Sequence, residues 1–492
     1  MGTLEQDALE VFRLVQSMKN LLGPIHRIPN DVLSLLPDYV EDECTWDERL
    51  ITLTHVCRRW RDVFTSRSSL WTHLDFENID KTHVYIQRSK SSPLRISIQD
   101  YEHTFSDHGF PLVAPHLHRL KSLIIYGDST SEVFKRCRFQ VQLLEELEIR
   151  LASDHEIVLE DDFLNGNLSS LRKLTLDGVA TGLPWGNLAN LRVFTIRFAT
   201  PELGITQLLD FFESAPLLDT INLAYPIPIS SDAPPNRIVP LPHLKTLRVS
   251  TDSAHTVLLN HLSIPIGASV TQEFSYSDDR FPLADYLPKS VVNLGNLSQV
   301  TTINFSFRWR DKFLRLAGPN GEHRILAFWD NWTSSPLAVN KSILDSIDPR
   351  ILSTIRGLSF TDCDLSRDLT ETNGYPVFET LSLTENLRKL VVSNCNILPF
   401  IHSLDPARNS SESLLCPHLE EILVYIDLFR EVHSPITVMA KNRASRGAKL
   451  RSITIVLMDL PKNRESRLEA DATHVECRIG GALPPWDELA CE

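Results

Sequence analysis

His116 and His118 stand two apart in PHLHRL, a spacing that lets two imidazoles reach one metal ion. No cysteine or acid follows at ligand spacing, so the pair reads as the edge of a structural unit. DHEIVLEDDF (154–163) gathers Asp154, Glu156, Glu160, Asp161 and Asp162. Their order lacks the alternation of a calcium loop, so a solvated acidic loop is expected. Cys57 has Arg58 and Arg59 beside it, and neighbouring cations lower a thiol pKa. Its place on an apolar stripe predicts a packed, inert thiol instead. The chain contains no G-x-S-x-G, H-E-x-x-H, P-loop or G-x-G-x-x-G. The expectation is a protein that is not an enzyme and that needs no metal or cofactor.

The elements that would position any site come from a chain of 492 residues, long for one core, so several domains or an elongated array are expected. Acids outnumber bases 63 to 49, a net charge of −14 that disfavours nucleic acid and anionic membranes as partners. The cysteines form no C-x-x-C pair and sit in apolar patterns, which predicts reduced thiols and a cytoplasmic or nuclear location. Glu5, Asp7 and Glu10 argue against a signal peptide, and no run of 18 apolar residues exists to span a membrane.

A repeat organises most of the sequence. L-x-x-L-x-L, with other aliphatics or Phe allowed, starts at Leu120, Leu144, Leu171, Leu191, Leu218 and Leu244. It returns at Val300, Ile355, Leu387, Leu419 and Leu450, and FETLSL from Phe378 is a further candidate. Its alternating end is a strand with one buried face. Helix-like runs such as ITQLLDFFESAP (205–216) precede some units. Strand then helix, repeated, predicts an α/β array with a parallel sheet, curved into a solenoid. The doubled intervals after Leu244 and Val300 leave room for a degenerate unit or an insertion. FSFRWRDKFLRLAGPNGEHRILAFWDN (305–331) alternates on both sides of GPNG and predicts an inserted β-hairpin. The segment after 460 reads as a polar, irregular tail.

The N-terminal part is different. In LTHVCRRWRDVF, Leu53, Val56, Cys57 and Trp60 fall at i, i+3, i+4 and i+7 and predict one amphipathic helix continuing to Val63 and Phe64. Upstream, IHRIPNDVLSLLPDYV (25–40) places Pro29 and Asp31 at a helix start. Two apolar helical patterns in about 50 residues would be marginal alone and predict a partner.

I-P-N-D-V-L-S-L-L (28–36), L-T-H-V-C-R-R-W-R-D-V (53–63) and S-L-W (69–71) resemble the two halves of an F-box. The remainder resembles the leucine-rich-repeat tails carried by many F-box proteins. The resemblance implies a small helical F-box over 25–76, after a helical extension at 1–24, and a leucine-rich-repeat-like domain over 77–460 before the tail at 461–492. It implies docking on a Skp-family adaptor, and through it a cullin, as the substrate-recognition subunit of a ubiquitin ligase. Carried over residue by residue, Ile28, Pro29, Val32, Leu33 and Leu36 face the adaptor. Val56, Cys57 and Trp60 form the helical core, with part of that face shared with the adaptor. Pro37 departs from the family, because it stands where a large apolar residue is usual and ends or kinks the first helix.

Strand alternation then places the residues that could read a protein substrate. In each unit the second and third apolar residues point inward and those between point out. Tyr and Arg most often anchor interfaces, so Tyr126, Arg150, Arg197, Arg248 and Tyr425 are the expected substrate contacts. The alternative is a leucine-rich-repeat scaffold without a role in degradation.

Overall fold

The computed structural model describes residues 2–21, 23–39, 46–99, 105–127, 133, 137–151, 157–159, 163–166, 168–181, 188–197, 203–224, 229–230, 236–251, 257–274, 292–307, 312–329, 347, 349–361, 376–408, 414–426, 433–457 and 474–479. The chain is mixed α/β, built largely from parallel sheet, and divides into two compact units, Met1–Leu188 and Ala189–Glu492.

Five helices of the first unit are α1 (Gly2–Leu21), α2 (Asn30–Leu35), α3 (Trp46–His55), α4 (Arg58–Ser66) and α5 (Ile79–Ser89). Pro29 caps α2 and its carbonyl accepts the Leu33 N–H at 2.8 Å. Pro37, lacking an N–H, leaves only a 3-10 turn, Leu36–Tyr39, beyond Leu35. The expected continuous helix through Leu53–Phe64 is not formed. α3 stops at His55, and Cys57 is the extended residue before α4. The i, i+3, i+4, i+7 spacing therefore spans two elements.

The unit's strands are β1 (His73–Leu74), β2 (Leu94–Gln99), β3 (Leu120–Tyr126), β4 (Glu146–Arg150), β5 (Ile157–Leu159), β6 (Lys173–Asp177) and β7 (Val179–Thr181). All ladders are parallel. They run β1–β2–β3–β4–β6, with β5 and β7 paired separately. Register stacks the repeat positions: Ile96, Leu123, Leu147 and Leu174 form one buried row, and Ile98, Ile125, Ile149 and Leu176 the next. Each of these aliphatic side chains fully buried stabilises by about 1.5–3 kcal/mol. β1 joins the helical segment directly to the sheet, since the Arg95 N–H also donates to Thr72 O at 2.9 Å.

The second unit carries β8 (Val193–Arg197), β9 (Leu203–Gly204), β10 (Thr220–Ala224), β11 (Ile229–Ser230), β12 (Val239–Pro240), β13 (Thr246–Thr251), β14 (Leu262–Ser263) and β15 (Ser269–Phe274). It continues with β16 (Thr302–Phe307), β17 (Lys312–Ala317), β18 (His323–Trp329), β19 (Gly357–Thr361), β20 (Lys389–Ser393), β21 (Glu421–Ile426), β22 (Ser452–Leu457) and β23 (His474–Ile479). Its main ladder follows β8–β10–β13–β15–β18–β17–β16–β19–β20–β21–β22–β23. Only β16–β17 and β17–β18 in it are antiparallel.

The hairpin is therefore β17–β18, and it lies within the sheet. Gly318 N donates to Glu322 O at 2.9 Å across its turn, and Gly321 takes φ 78°. The first doubled interval holds β15, a strand the repeat motif did not mark, and the second holds the hairpin. The helix-like run at 205–216 forms a helix, Ile205–Ser214, that buries Ile205, Leu208, Leu209 and Phe212. Two expectations are corrected. Phe378–Ser382 of FETLSL lie in a helix, Pro376–Ser382, because Phe378 and Leu381 stand at i, i+3 and satisfy a helical period. The segment after 460 is not wholly irregular, because β23 pairs in parallel with β22.

Candidate functional site

The helical segment before β1 closes a core of its own. Leu33 of α2 is 0% exposed, Trp60 of α4 is 5% exposed, and Leu50, Phe64, Leu70 and Trp71 are buried with them. Trp60 meets Phe64 edge to face at 5.6 Å, and Trp71 meets Tyr85 at 4.9 Å. Trp71 Nε1 donates to Phe64 O at 2.9 Å. Trp60 Nε1 is buried and finds no acceptor among the described residues.

Arginine side chains hold α4 against the α2 segment. Arg59 Nε donates to Asn30 Oδ1 at 2.9 Å, and its Nη2 donates to Ile28 O. Arg67 Nη1 donates to Ser34 O. The partners of Arg59 lie about thirty positions away in sequence. These cross-element bonds leave no local trace.

The residues expected at an adaptor surface separate into two groups. Pro29 and Val32 are exposed, Val56 is 51% exposed, and Ile28, Leu36 and Cys57 are half-buried. Leu33 faces the segment's own core, which corrects its assignment to the adaptor face, and Trp60 is buried in the helical core where the resemblance placed it. The helical period explains Leu33: it lies one residue round the helix from Val32, so the two point to different sides. Leu35 and Ile51, which the motif did not single out, join the exposed apolar set.

On the outer face of the first unit's sheet, Tyr126 and Arg150 belong to one polar cluster. The Arg150 guanidinium lies 5.6 Å over the Tyr126 ring, and its Nε is 2.7 Å from Glu148 Oε1. Tyr126 OH donates to the same oxygen at 3.3 Å. Lys173 Nζ donates to Glu146 Oε1 at 2.5 Å, and Ser122 Oγ donates to Glu146 Oε2 at 3.2 Å. Burial raises the Glu146 pKa, but Lys173 and Ser122 outweigh it and hold the carboxyl below its ordinary value.

In the second unit, Arg248 is exposed and ion-paired to Glu273, while Arg197 is half-buried. Tyr425 corrects the expectation of exposure. It is 7% exposed and packs with Val391 and Val456, so this part of the face is an apolar cluster. Alternation gave its side correctly but not the cover over it.

His116 and His118 lie in a 3-10 turn, Ala114–Arg119. Burial, Arg119 and His118 lower the His116 pKa, which favours its neutral form. Among the described residues no group of three or more His, Cys, Asp or Glu converges on one point. Of the acidic stretch 154–163, only Ile157–Leu159 and Phe163 are among the described residues. Burial pushes the Cys137 thiol up to about 12 and Cys416 up to about 11. No helix among the described residues is long and apolar enough to cross a membrane. No protein-family model matches the chain, and no curated protein matches it.

Proposed function

We propose that the chain is the substrate-recognition subunit of a Skp-cullin-F-box type ubiquitin ligase, with an F-box in the helical segment and a curved leucine-rich-repeat-like solenoid after it. One observation carries this reading. The segment's own core is closed by Leu33, Trp60, Phe64 and Trp71, yet Val32 and Leu35 of α2, Ile51 of α3 and Val56 remain exposed. An apolar surface left over after a core is satisfied fits a partner groove. The outer sheet faces, with Tyr126 and Arg150 on one and Arg197 and Arg248 on the other, would read a protein substrate. The chain supplies recognition, and transfer of ubiquitin belongs to its partners.

The test is capture of a purified Skp-type adaptor by the wild-type chain and by Val32→Glu with Leu35→Glu. The pair stands at i, i+3 on one side of α2. Loss of capture with unchanged thermal unfolding supports the reading; capture at wild-type strength sinks it. Ubiquitination of a captured protein by the assembled ligase distinguishes a receptor from a scaffold without a role in degradation.

A further inference from the structure

The residues just ahead of the strands form a charged row along one edge of the second unit's sheet. Arg192, Asp219 and Lys245 precede β8, β10 and β13. Thr301, Arg356, Arg388, Glu420 and Arg451 precede β16, β19, β20, β21 and β22. Backbone bonds tie neighbours in the row together: Arg356 N donates to Thr301 O at 2.7 Å, and Arg388 N donates to Arg356 O at 2.8 Å. Arg192 and Lys245 flank Asp219 in the same way, and Arg388 and Arg451 flank Glu420. Arg356 differs from these other cations, because its neighbours in the row are Thr301 and Arg388 and neither is an acid. No described residue makes a hydrogen bond or ion pair with its side chain. Arg356 and Arg388 line a cavity of about 820 Å³. We propose that this cavity binds a phosphate ester of a polyhydroxylated small molecule, a sugar phosphate.

Charge supplies the first argument. Guanidinium groups entering adjacent strands leave backbones about 4.8 Å apart and repel one another. Glu322 is the acid in the lining, and it is already engaged: Oε1 accepts from Arg324 Nη2 at 2.6 Å and Oε2 from the Asn320 N–H at 3.0 Å. Glu420 approaches Arg388 only to 3.5 Å, at an exposed guanidinium, which is a weak pairing. Positive charge is therefore left over in this cavity, in a chain whose net charge is −14. The forked donors of two guanidiniums match the oxygens of a phosphate dianion.

Hydrogen-bond polarity supplies the second. Ser298 Oγ donates to Gly295 O at 2.6 Å, Ser353 Oγ to Arg350 O at 2.7 Å and Thr354 Oγ1 to Val300 O at 2.8 Å. All three residues line the cavity, and with their protons committed to the backbone each oxygen is left as an acceptor. Asn386 Nδ2 donates to Ser353 O at 2.7 Å, so this lining residue offers its Oδ1 as a further acceptor. Acceptors grouped beside two guanidiniums select a ligand that carries hydroxyl donors and an anionic group on one frame. The volume suits such a molecule, since small-molecule sites span roughly 300–1,000 Å³.

The experiment titrates the full chain by calorimetry with glucose 6-phosphate, glucose, inorganic phosphate and a phosphoserine peptide. Glucose 6-phosphate should bind at one site, more tightly than the other three. Arg356→Ala should weaken it on the order of tenfold, with thermal unfolding unchanged. Asn386→Leu should weaken glucose 6-phosphate but not inorganic phosphate, a difference that a general loss of folding would not produce. No binding of glucose 6-phosphate, or binding indifferent to Arg356→Ala, overturns the proposal. Inorganic phosphate or glucose binding as tightly as the ester overturns it too, as does a phosphoserine peptide that binds more tightly. Adaptor capture is read separately through Val32 and Leu35, so this inference and the proposed function fail independently.

Discussion

At the scale of single residues, the two tryptophans of the helical segment do different work. Trp71 Nε1 satisfies the Phe64 carbonyl, whereas Trp60 Nε1 has no acceptor among the described residues. Trp71→Phe removes a buried donor and leaves a carbonyl unpaired, a loss of about 1–3 kcal/mol beyond the packing change. Trp60→Phe removes a donor that has no acceptor among the described residues, so chemical denaturation should show the smaller loss for Trp60→Phe. Trp60→Ala should cost about 3–5 kcal/mol, as a large buried aromatic does. Glu146 predicts a pH effect. Its folded pKa lies below the ordinary value, so the Lys173 contact contributes stability at neutral pH, and this is lost as pH falls through that lowered pKa. Lys173→Met should therefore flatten the acid limb of the unfolding curve, measured from about pH 5 downward. The raised and buried thiols of Cys137 and Cys416 predict that a thiol reagent at pH 8 leaves these two residues unlabelled until the chain unfolds, read by peptide mapping.

At the scale of elements, the β17–β18 hairpin is the clearest case of local chemistry fixing structure. Gly321 occupies a positive φ that costs a side-chain-bearing residue strain. Gly321→Ala should destabilise the second unit by about 1 kcal/mol, read from its denaturation midpoint. An unchanged midpoint would mean the turn relaxes without cost. The α2–α4 pairing depends on arginine donors reaching backbone carbonyls. Arg59→Met keeps the aliphatic stem and deletes the donors, and should weaken adaptor capture by loosening α2 while leaving the sheet's circular dichroism intact.

At the scale of the molecule, the repeat rows build a core in each unit and leave an outer face on each sheet. The candidate anchors on those faces are already engaged within the chain: Arg150 with Glu148 and Tyr126, and Arg248 with Glu273. A substrate would have to add contacts to prearranged arginines. Arg150→Ala with Arg248→Ala should reduce the proteins captured with the chain under proteasome inhibition while adaptor capture persists. An unchanged set of captured proteins would move recognition away from these faces.

Strand positions were legible in the sequence because alternation is a local property. Each of the eleven L-x-x-L-x-L units ends in a strand, from β3 through β22, and GPNG marked the hairpin for the same reason. Composition and missing motifs shaped the expectation of a binding protein over an enzyme. What only the tertiary structure decided were matters of which surface meets which. A helical stripe says that a side is apolar, not whether its cover is the same segment or another molecule, so Leu33 and Val32 could not be told apart as core and surface. The break at Val56–Cys57 is invisible to a period that both short helices satisfy. Arg59 and Arg67 find partners about thirty residues away, Tyr425 is covered by its neighbours on the sheet, and β23 is drawn into the ladder by β22. Each of these depends on contacts between segments distant in sequence, and no window short enough to show a period contains both partners.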